Sequence, residues 1–282
     1  MAITSFHRLM AEAEKGKYAV GYFEAWNLDS FFAVCDAAEN KKSPVIIGFS
    51  GIDFPNYKYL LKDTFSIYAN LINDLAGKLT VPVCTIFNES SSKDLVLKAI
   101  EHKFGIVMFL DSALDLEKQK KIIAELSKEA HKNNVAIEGE IEAQAGLSES
   151  ITDIPEEELL TDISAIQSFV EETKVDALAV NIGQVSMIGE KKVKLNLEHL
   201  KKLKKEIDIP LVLHGGSSIY EEDIKKAYFE MLRESCLEIK KSYNIYKVIG
   251  SGLNQDVLVK ARIDMQKAVE ELMVLFGSAG RK

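Results

Sequence analysis

Eight short apolar runs, separated by longer amphipathic stretches, are the feature of this 282-residue sequence that most constrains its fold. In the intervening stretches apolar residues recur at i, i+3, i+4 and i+7, the spacing of helices that bury one face. Continuous apolar runs are typical of strands covered on both sides, as in a parallel sheet. The runs are YAVGYF (18–23), PVIIGFS (44–50), VPVCTIF (81–87), GIVMFL (105–110), VAIEGEI (135–141), ALAVNI (177–182), IPLVLH (209–214) and IYKVIG (245–250).

Eight strand and helix units in a chain of this length predict an α/β fold, a (β/α)8 TIM barrel that forms a single domain over residues 1–282. The opening stretch MAITSFHRLMAEAEKGK predicts an amphipathic helix that caps the N-terminal end of the barrel. Pro155 and the acidic residues after it suit a helix N-terminus, which predicts a helix over residues 155–174. A doubly wound open sheet is the alternative.

Charge and composition narrow the class of protein. The chain has 35 Lys and Arg against 43 Asp and Glu, a formal charge of −8, and the charges are scattered. Nucleic acid is therefore not an expected partner, because phosphate neutralisation needs a basic face. A membrane is not expected either, since no apolar run reaches about eighteen residues and the N-terminus does not resemble a signal peptide. We expect a cytoplasmic protein whose three widely spaced cysteines are reduced and mostly buried.

Polar residues follow the predicted strands, where a barrel of this type builds its active site. The strand ends therefore define the candidate site residues. They are Glu24; Ser50 and Gly51; Asn88 and Glu89; Asp111 and Ser112; Glu138, Glu140 and Glu142; Asn181, Gly183 and Gln184; His214 to Ser218; and Gly250 to Gly252.

Two glycine and serine clusters follow the predicted strands 7 and 8. Gly215, Gly216 and Ser217 come directly after His214, and Gly250 and Ser251 repeat the arrangement. Glycine lets backbone amides approach an anion, and the loops after strands 7 and 8 commonly hold phosphate in such barrels. The pattern predicts a phosphate site, and the alternative is a pair of tight turns with capping serines.

The run EGEIE places alternate glutamates on one side of strand 5, because strand side chains alternate with a period of two. Buried carboxylates need a cation, a lysine or water. One hypothesis is a divalent metal, Zn²⁺, Mn²⁺ or Mg²⁺, held by His214, Glu89 and Glu140. The alternative is an internal ion pair between Glu138 and Lys247. A Schiff-base role for Lys247 is a further hypothesis, less favoured than a structural ion pair.

The sequence is similar to the class II, metal-dependent ketose-bisphosphate aldolases over nearly its whole length. The resemblance is carried by YAVGYFEAWNLDSFFAVCDAAENKKSPVIIGFS, by VAIEGEIEAQAG, by DALAVNIG and by KLNLEHLKKLKKEIDIPLVLHGGSSIYEEDIKKA. It implies a zinc-dependent carbon–carbon lyase that acts on a phosphorylated ketose with dihydroxyacetone phosphate as the shared half-substrate. It also implies a homodimer or homotetramer, and phosphate binding by Gly183, Gly215, Gly216, Ser217, Gly250 and Ser251.

Most catalytic positions of that family are substituted. The family's His-Leu-Asp-His-Gly, with its acid/base Asp and a zinc-binding His, is Ile86 to Ser90 here, so Asn88 stands where the base is expected. The Ile-Gly-Thr-Ser-His-Gly loop, with a second zinc-binding His, is Ile182 to Met187. His214 alone matches a family metal ligand. An Asn is missing after strand 8, and another is replaced by Glu24.

Asn88 cannot accept a proton as the family's Asp does. We therefore predict a divergent aldolase with a rearranged divalent metal site, Glu24 or Glu140 as the base, and Asn88 in the catalytic site. The alternatives are a metal-independent enolising enzyme or isomerase of sugar phosphates, and a non-catalytic phosphosugar-binding homologue.

Overall fold

Eight parallel strands, paired in chain order from β1 to β8 and back to β1, close into a barrel. The computed structural model describes residues 2–25, 27–52, 63–141, 160–184, 194–214, 235–239 and 254–282. The predicted α/β architecture with a parallel sheet is confirmed. The strands are β1 (Val20–Glu24), β2 (Val45–Ser50), β3 (Val83–Ser90), β4 (Ile106–Phe109), β5 (Ala136–Glu140), β6 (Ala177–Ala179), β7 (Leu211–Leu213) and β8 (Ser235–Ile239).

Among the described residues, helices lie between successive strands from β1 to β7, before β1 and after β8. Several begin at the residue types that favour helix starts: Asn27 forms a reciprocal capping box with Ser30, and Ser92 and Asp115 cap the next turn with their side chains. The described helices are α1 (Phe6–Gly16), α2 (Leu28–Lys41), α3 (Thr64–Ala76), α4 (Lys93–Glu101), α5 (Leu116–Lys132), α6 (Ile163–Thr173), α7 (Leu197–Glu206) and α8 (Asn254–Leu275).

Aromatic rings fill the space between the sheet and the helices on one side of the barrel. Phe49 of β2 and Phe87 of β3 pack with their ring centroids 5.2 Å apart. Phe65 of α3 and Phe104, which precedes β4, complete this cluster. All four rings are buried, so the cluster fixes which faces of β2 and β3 point outward.

The N-terminal segment pairs with the beginning of β3. Val83 accepts a hydrogen bond from the Thr4 amide and donates one to the Ala2 carbonyl, both at 2.8 Å. Helix α1 follows, and it buries Phe6 and Leu9. The structure thus confirms a helix here, and its role as a cap on the barrel remains a prediction.

Two sequence-based boundaries were wrong. The eighth place in the barrel is filled by Ser235–Ile239 rather than by residues 245–250, which lie outside the described residues. SCLEI has only three apolar residues, so its apolar signal is weaker than that of IYKVIG. Helix α6 starts at Ile163, after an Asp162 cap, and not at Pro155. Leu160 instead forms a bridge with Ile182.

The described helices include none that is long and apolar enough to span a membrane. Cys35 and Cys84 are free and buried, as predicted, while the side chain of Cys236 lies outside the described part of the structure.

Candidate active site

A layer of buried polar side chains lies at the carboxyl ends of the strands. Each of them is at most 7% exposed although it is polar or ionisable. This is the end of a parallel barrel where active sites are built. The layer contains Glu24 from β1, Ser50 from β2, Asn88 and Glu89 from β3, Glu138 and Glu140 from β5, Asn181 after β6 and His214 after β7.

The alternation of strand side chains aims the glutamates of β5 into the barrel. A Cβ atom on Gly139 would lie 2.8 Å from the ring of Phe169 on α6, so that position faces the helices. Glu138 and Glu140 flank Gly139 and therefore face the interior. In β1, Phe23 stacks on Phe276 outside the barrel, which turns Glu24 inward in the same way.

Asn88 faces the interior because its neighbour Phe87 is held in the outer aromatic cluster. Glu89 would then be expected to face outward, but its backbone is left-handed, with φ of 47°, and the β3–β4 register shifts between Phe87 and Ser90. Such a bulge redirects a side chain. It brings the Glu89 carboxylate to His214, so the side chains of two successive residues, Asn88 and Glu89, both point into the barrel.

His214 lies between two carboxylates. Its Nδ1 is 3.0 Å from Glu89 Oε1, and its Nε2 is 2.7 Å from Glu138 Oε1. All three side chains are buried. With both glutamates ionised, the ring donates from both nitrogens and carries a positive charge. Because both ring nitrogens are engaged, the two contacts fix the orientation of the imidazole ring.

The layer is rich in negative charge. It contains four glutamates, Glu24, Glu89, Glu138 and Glu140, against one histidine. Lys120 is the one lysine or arginine that is buried within the described ranges, and it lies on α5 in ion pairs with Glu117 and Glu172. Carboxylates buried together need protons or cations, and these would have to be taken up by the layer or supplied from outside the described residues.

Asn88 is fully buried, yet neither atom of its side-chain amide has a hydrogen-bond partner among the described residues. Most buried polar groups are paired, and an unpaired one costs about 1–3 kcal/mol. Its register neighbour on β2 is Ser50, whose hydroxyl accepts the amide of Ile52 at 3.2 Å. The Ser50 hydroxyl is therefore engaged with the backbone, and the amide of Asn88 makes no hydrogen bond within the described residues.

The loop after β6 is shaped by Gln184, whose side chain serves the backbone. It accepts the Ile182 amide at 2.8 Å and donates to the Val180 carbonyl at 2.6 Å. Gly183 has φ of 103°, a conformation that favours glycine. Of the predicted phosphate-binding residues, Gly183 is thus placed beside the layer. Gly215, Gly216, Ser217, Gly250 and Ser251 lie outside the described residues, as do Glu142 and Lys247.

The described residues do not fit a metal ion as they are placed. Imidazole and carboxylates are suitable donors for Zn²⁺ or Mn²⁺. The two ring nitrogens of His214 point away from each other, however, so Glu89 and Glu138 cannot meet His214 at one ion. Across the described ranges, no group of three or more His, Cys, Asp or Glu side chains is arranged to hold a metal.

Sequence reasoning missed two features of this layer. It did not anticipate the contact of Glu138 with His214, and the ion pair that it offered between Glu138 and Lys247 stays a prediction, because Lys247 lies outside the described residues. Nor did it anticipate the left-handed backbone of Glu89. Glycine is the usual sequence signal for this conformation, and β3 contains none. The alternation of EGE correctly placed Glu138 and Glu140 on the same side of β5, but it carries no information on the residue that Glu138 contacts across the barrel.

Comparison with known proteins decides the family. The sequence model described as "Fructose-bisphosphate aldolase class-II" matches residues 4–281. The chain belongs to the class II fructose-bisphosphate aldolase family. YdjI of Escherichia coli K12 is 30% identical over 96% of both chains, and the crystal structure of this YdjI aldolase superposes with a TM-score of 0.81, at 27% identity and over 99% of both chains. A fructose-bisphosphate aldolase of Geobacillus stearothermophilus is 29% identical over 100% of this chain and 99% of its own.

Family membership sharpens the meaning of the substitutions. Class II aldolases generally depend on a divalent metal, and this member has Asn88 and Glu89 in the β3 segment where the resemblance places the acid/base and a ligand. His214, the one histidine that matches a metal ligand of the family, contacts two carboxylates in this structure. The chain therefore keeps the family's barrel, and at its carboxyl end it places Asn88, Glu89 and His214 together in one buried layer.

Proposed function

We propose that this protein is a carbon–carbon lyase that catalyses aldol cleavage or condensation of a phosphorylated ketose. The observation that supports it is the buried layer of glutamates around His214, at the active-site end of an aldolase-family barrel. Relatives named for related substrates agree with this class: one is the fructose-bisphosphate aldolase described above, and another is a 6-phospho-5-dehydro-2-deoxy-D-gluconate aldolase of Bacillus subtilis, 30% identical over 80% of the chain.

The layer can perform the proton transfers of this reaction. Glu24 or Glu140 takes the proton from the carbon beside the ketone, and the electron pair moves to the carbonyl oxygen as the enediolate forms. His214 contacts Glu89 and Glu138 with its two ring nitrogens and so holds these side chains in place within the layer. Asn88 supplies a donor and an acceptor to the substrate's oxygens but moves no proton.

Phosphate would be held at the mouth of the barrel by backbone amides and hydroxyls. We assign this role to Gly183, Gly215, Gly216, Ser217, Gly250 and Ser251. The support is that glycine clusters follow β7 and β8 in the sequence, where comparable barrels bind phosphate.

A divalent metal, Zn²⁺, Mn²⁺ or Mg²⁺, held by His214, Glu89 and Glu140 is the alternative arrangement within this proposal. It requires His214 to exchange a carboxylate partner for the ion. When bound, such an ion would polarise the ketone.

A second candidate function is metal-independent enolisation or isomerisation of a sugar phosphate. The observation that favours it is the engagement of both His214 nitrogens by carboxylates. It uses the same proton transfer without breaking a carbon–carbon bond.

The experiment follows exchange of the C3 proton of dihydroxyacetone phosphate in D₂O by NMR, with EDTA and with added Zn²⁺, Mn²⁺ or Mg²⁺. Exchange is expected in the wild-type protein and should be lost in Glu24→Gln or Glu140→Gln. Exchange that EDTA abolishes would support the metal arrangement, and exchange that survives EDTA would support the metal-free one. No exchange under any of these conditions would overturn aldolase chemistry on this donor and leave the isomerase and phosphosugar-binding functions, which a screen of sugar phosphates would separate.

We further propose that the chain acts as a single domain over residues 1–282, with α1 capping the N-terminal end of the barrel, and that it works in the cytoplasm as a homodimer or homotetramer. The support is the burial of Phe6 and Leu9 by α1 and the resemblance to the family.

A further inference from the structure

A cavity lies at the opposite end of the barrel from the glutamate layer. It has a volume of about 610 Å³ and lies between α1, the residues before β3 and the end of the chain. Pro82 and Thr4, which line it, adjoin the first residue of β3, so it is at the amino end of the strands. Its size is within the range of small-molecule sites.

Positive side chains converge on this cavity. Arg8 and Lys15 come from α1, and Arg281 and Lys282 come from the end of the chain. Glu12 is the acidic residue of the lining. The whole protein has a formal charge of −8, whereas the lining of this cavity is net positive. A positive lining would concentrate anions there.

These cations are largely unused in the part of the chain that the structure describes. Arg8, Lys15 and Arg281 form no ion pair there, whereas eight other lysines, Lys41, Lys93, Lys98, Lys118, Lys120, Lys132, Lys201 and Lys260, do. Lys282 donates to the Thr80 hydroxyl at 2.7 Å, and Thr80 in turn bonds Glu39. Arg281 donates one hydrogen bond from Nε to the Gly277 carbonyl at 3.3 Å and keeps its other guanidinium donors for a ligand.

The apolar part of the lining is small. Leu9 and Tyr18 are almost fully buried, so Pro82, which is partly exposed, and the edge of the Tyr18 ring supply the apolar surface, and the guanidinium carbon of Arg281 lies 5.8 Å from the centre of that ring. This contact holds one cation beside the apolar surface. A ligand that matches the cavity has an apolar or flat part for this surface and two or more negative charges for the rim.

We propose that this cavity is a binding site for an organic phosphate of the nucleoside diphosphate type. Its phosphates contact Arg8, Lys15 and Arg281, and its ring system lies against Pro82 and the edge of the Tyr18 ring. Because α1 and the end of the chain both line the cavity, the ligand contacts both segments and stabilises the fold. The site is independent of the reaction proposed for the other end of the barrel.

The test is isothermal titration of the full chain at low salt with ADP, inorganic pyrophosphate and sulfate. ADP should bind saturably at one site, pyrophosphate more weakly because it lacks contact with Pro82 and Tyr18, and sulfate more weakly still. The Arg8→Gln/Lys15→Gln variant should weaken ADP binding by about tenfold, which corresponds to about 1.4 kcal/mol. Glu12→Gln should strengthen it, since this change removes the one acidic side chain of the lining.

The matched control is Lys121→Gln/Lys128→Gln, which removes two exposed charges from α5, away from the cavity. It should leave ADP binding unchanged. Absence of saturable ADP binding, or an equal loss in both double variants, would overturn the proposal. Equal binding of pyrophosphate and ADP would show an adventitious ion only. A further variant, Arg281→Gln, should also weaken ADP binding. If it unfolds the end of the chain, the variants of Arg8, Lys15 and Glu12 on α1 test the proposal, and thermal unfolding confirms that these variants are folded.

Discussion

His214 Nε2 lies 2.7 Å from Glu138 Oε1, although the two residues are 76 positions apart in the chain. The contact joins the carboxyl ends of β5 and β7, and the second ring nitrogen joins them to Glu89 on β3. A single imidazole thus links three strands of the barrel at its active-site end. The same contacts leave His214 little freedom to serve a metal without rearrangement.

Replacing His214 by alanine should destabilise the protein strongly. The change leaves Glu89 and Glu138 buried without their shared partner, and breaking a buried pair in this way costs about 3–5 kcal/mol. Urea denaturation would measure it. The control is His102→Ala, which removes a less buried imidazole bonded to Asn70 and Ser66 and should cost about 1 kcal/mol. Equal losses in the two variants would contradict the linking role of His214.

Asn88→Leu should leave the stability unchanged or raise it, because it removes an amide with no partner among the described residues. It should also abolish exchange of the dihydroxyacetone phosphate proton. Gln184→Met is the matched change, because the Gln184 amide makes two backbone hydrogen bonds. It should cost about 1–3 kcal/mol. Thermal unfolding of both variants checks this, and a large loss in Asn88→Leu would show that its amide is structural.

Asp176→Ala should cost about 2–3 kcal/mol, because this carboxylate accepts three hydrogen bonds and its loss leaves the Ile137 amide unpaired. The donors are His7 and His131, each at 2.9 Å, and the Ile137 amide at 2.8 Å. His7→Ala and His131→Ala should each cost at most about 1 kcal/mol, since both rings are exposed. Denaturation curves of the three variants test this order. A His7→Ala loss as large as that of Asp176→Ala would contradict it.

Alkaline pH should destabilise the protein through its buried thiols. Burial raises the pKa of the Cys84 thiol from 9.0 to about 12. Burial, followed by the charges of Asp36 and Glu39, raises the pKa of Cys35 to about 12 as well. Above about pH 9 the unfolded chain loses thiol protons that the folded chain keeps, so each thiol lowers the stability by about 1.4 kcal/mol per pH unit.

The free energy of unfolding, measured at pH 8, 9, 10 and 11, should therefore fall less steeply in Cys84→Ala than in the wild type. Below pH 9 the two slopes should coincide, because both states keep the thiol proton there. Identical slopes above pH 9 would show that Cys84 gains access to solvent in the folded protein.

Local patterns in the sequence were sufficient to predict the barrel and its active-site end. The period of the apolar residues located seven of the strands to within a few residues, and the strand ends identified Glu24, Asn88, Glu89, Glu140 and His214, all of which are buried in one layer. This succeeds because parallel strands bring their carboxyl ends together whatever their distance along the chain.

The contacts within the layer could not be predicted in the same way. The partner of His214 depends on the rotation of β5 and on the bulge in β3, neither of which leaves a local sequence signal. The eighth strand was misplaced because SCLEI carries charge and a serine, while its pairing with β1 and β7 is a property of the closed barrel. Propensity is overridden by tertiary contacts in such strands.

The left-handed backbone of Glu89 limits how this site can be exchanged with those of related enzymes. A side chain introduced at position 88 or 89 takes its direction from the bulged backbone of residues 87–90. Exchange of this whole segment with that of another family member transfers the side chains together with the backbone that directs them, whereas a point substitution transfers the side chain alone.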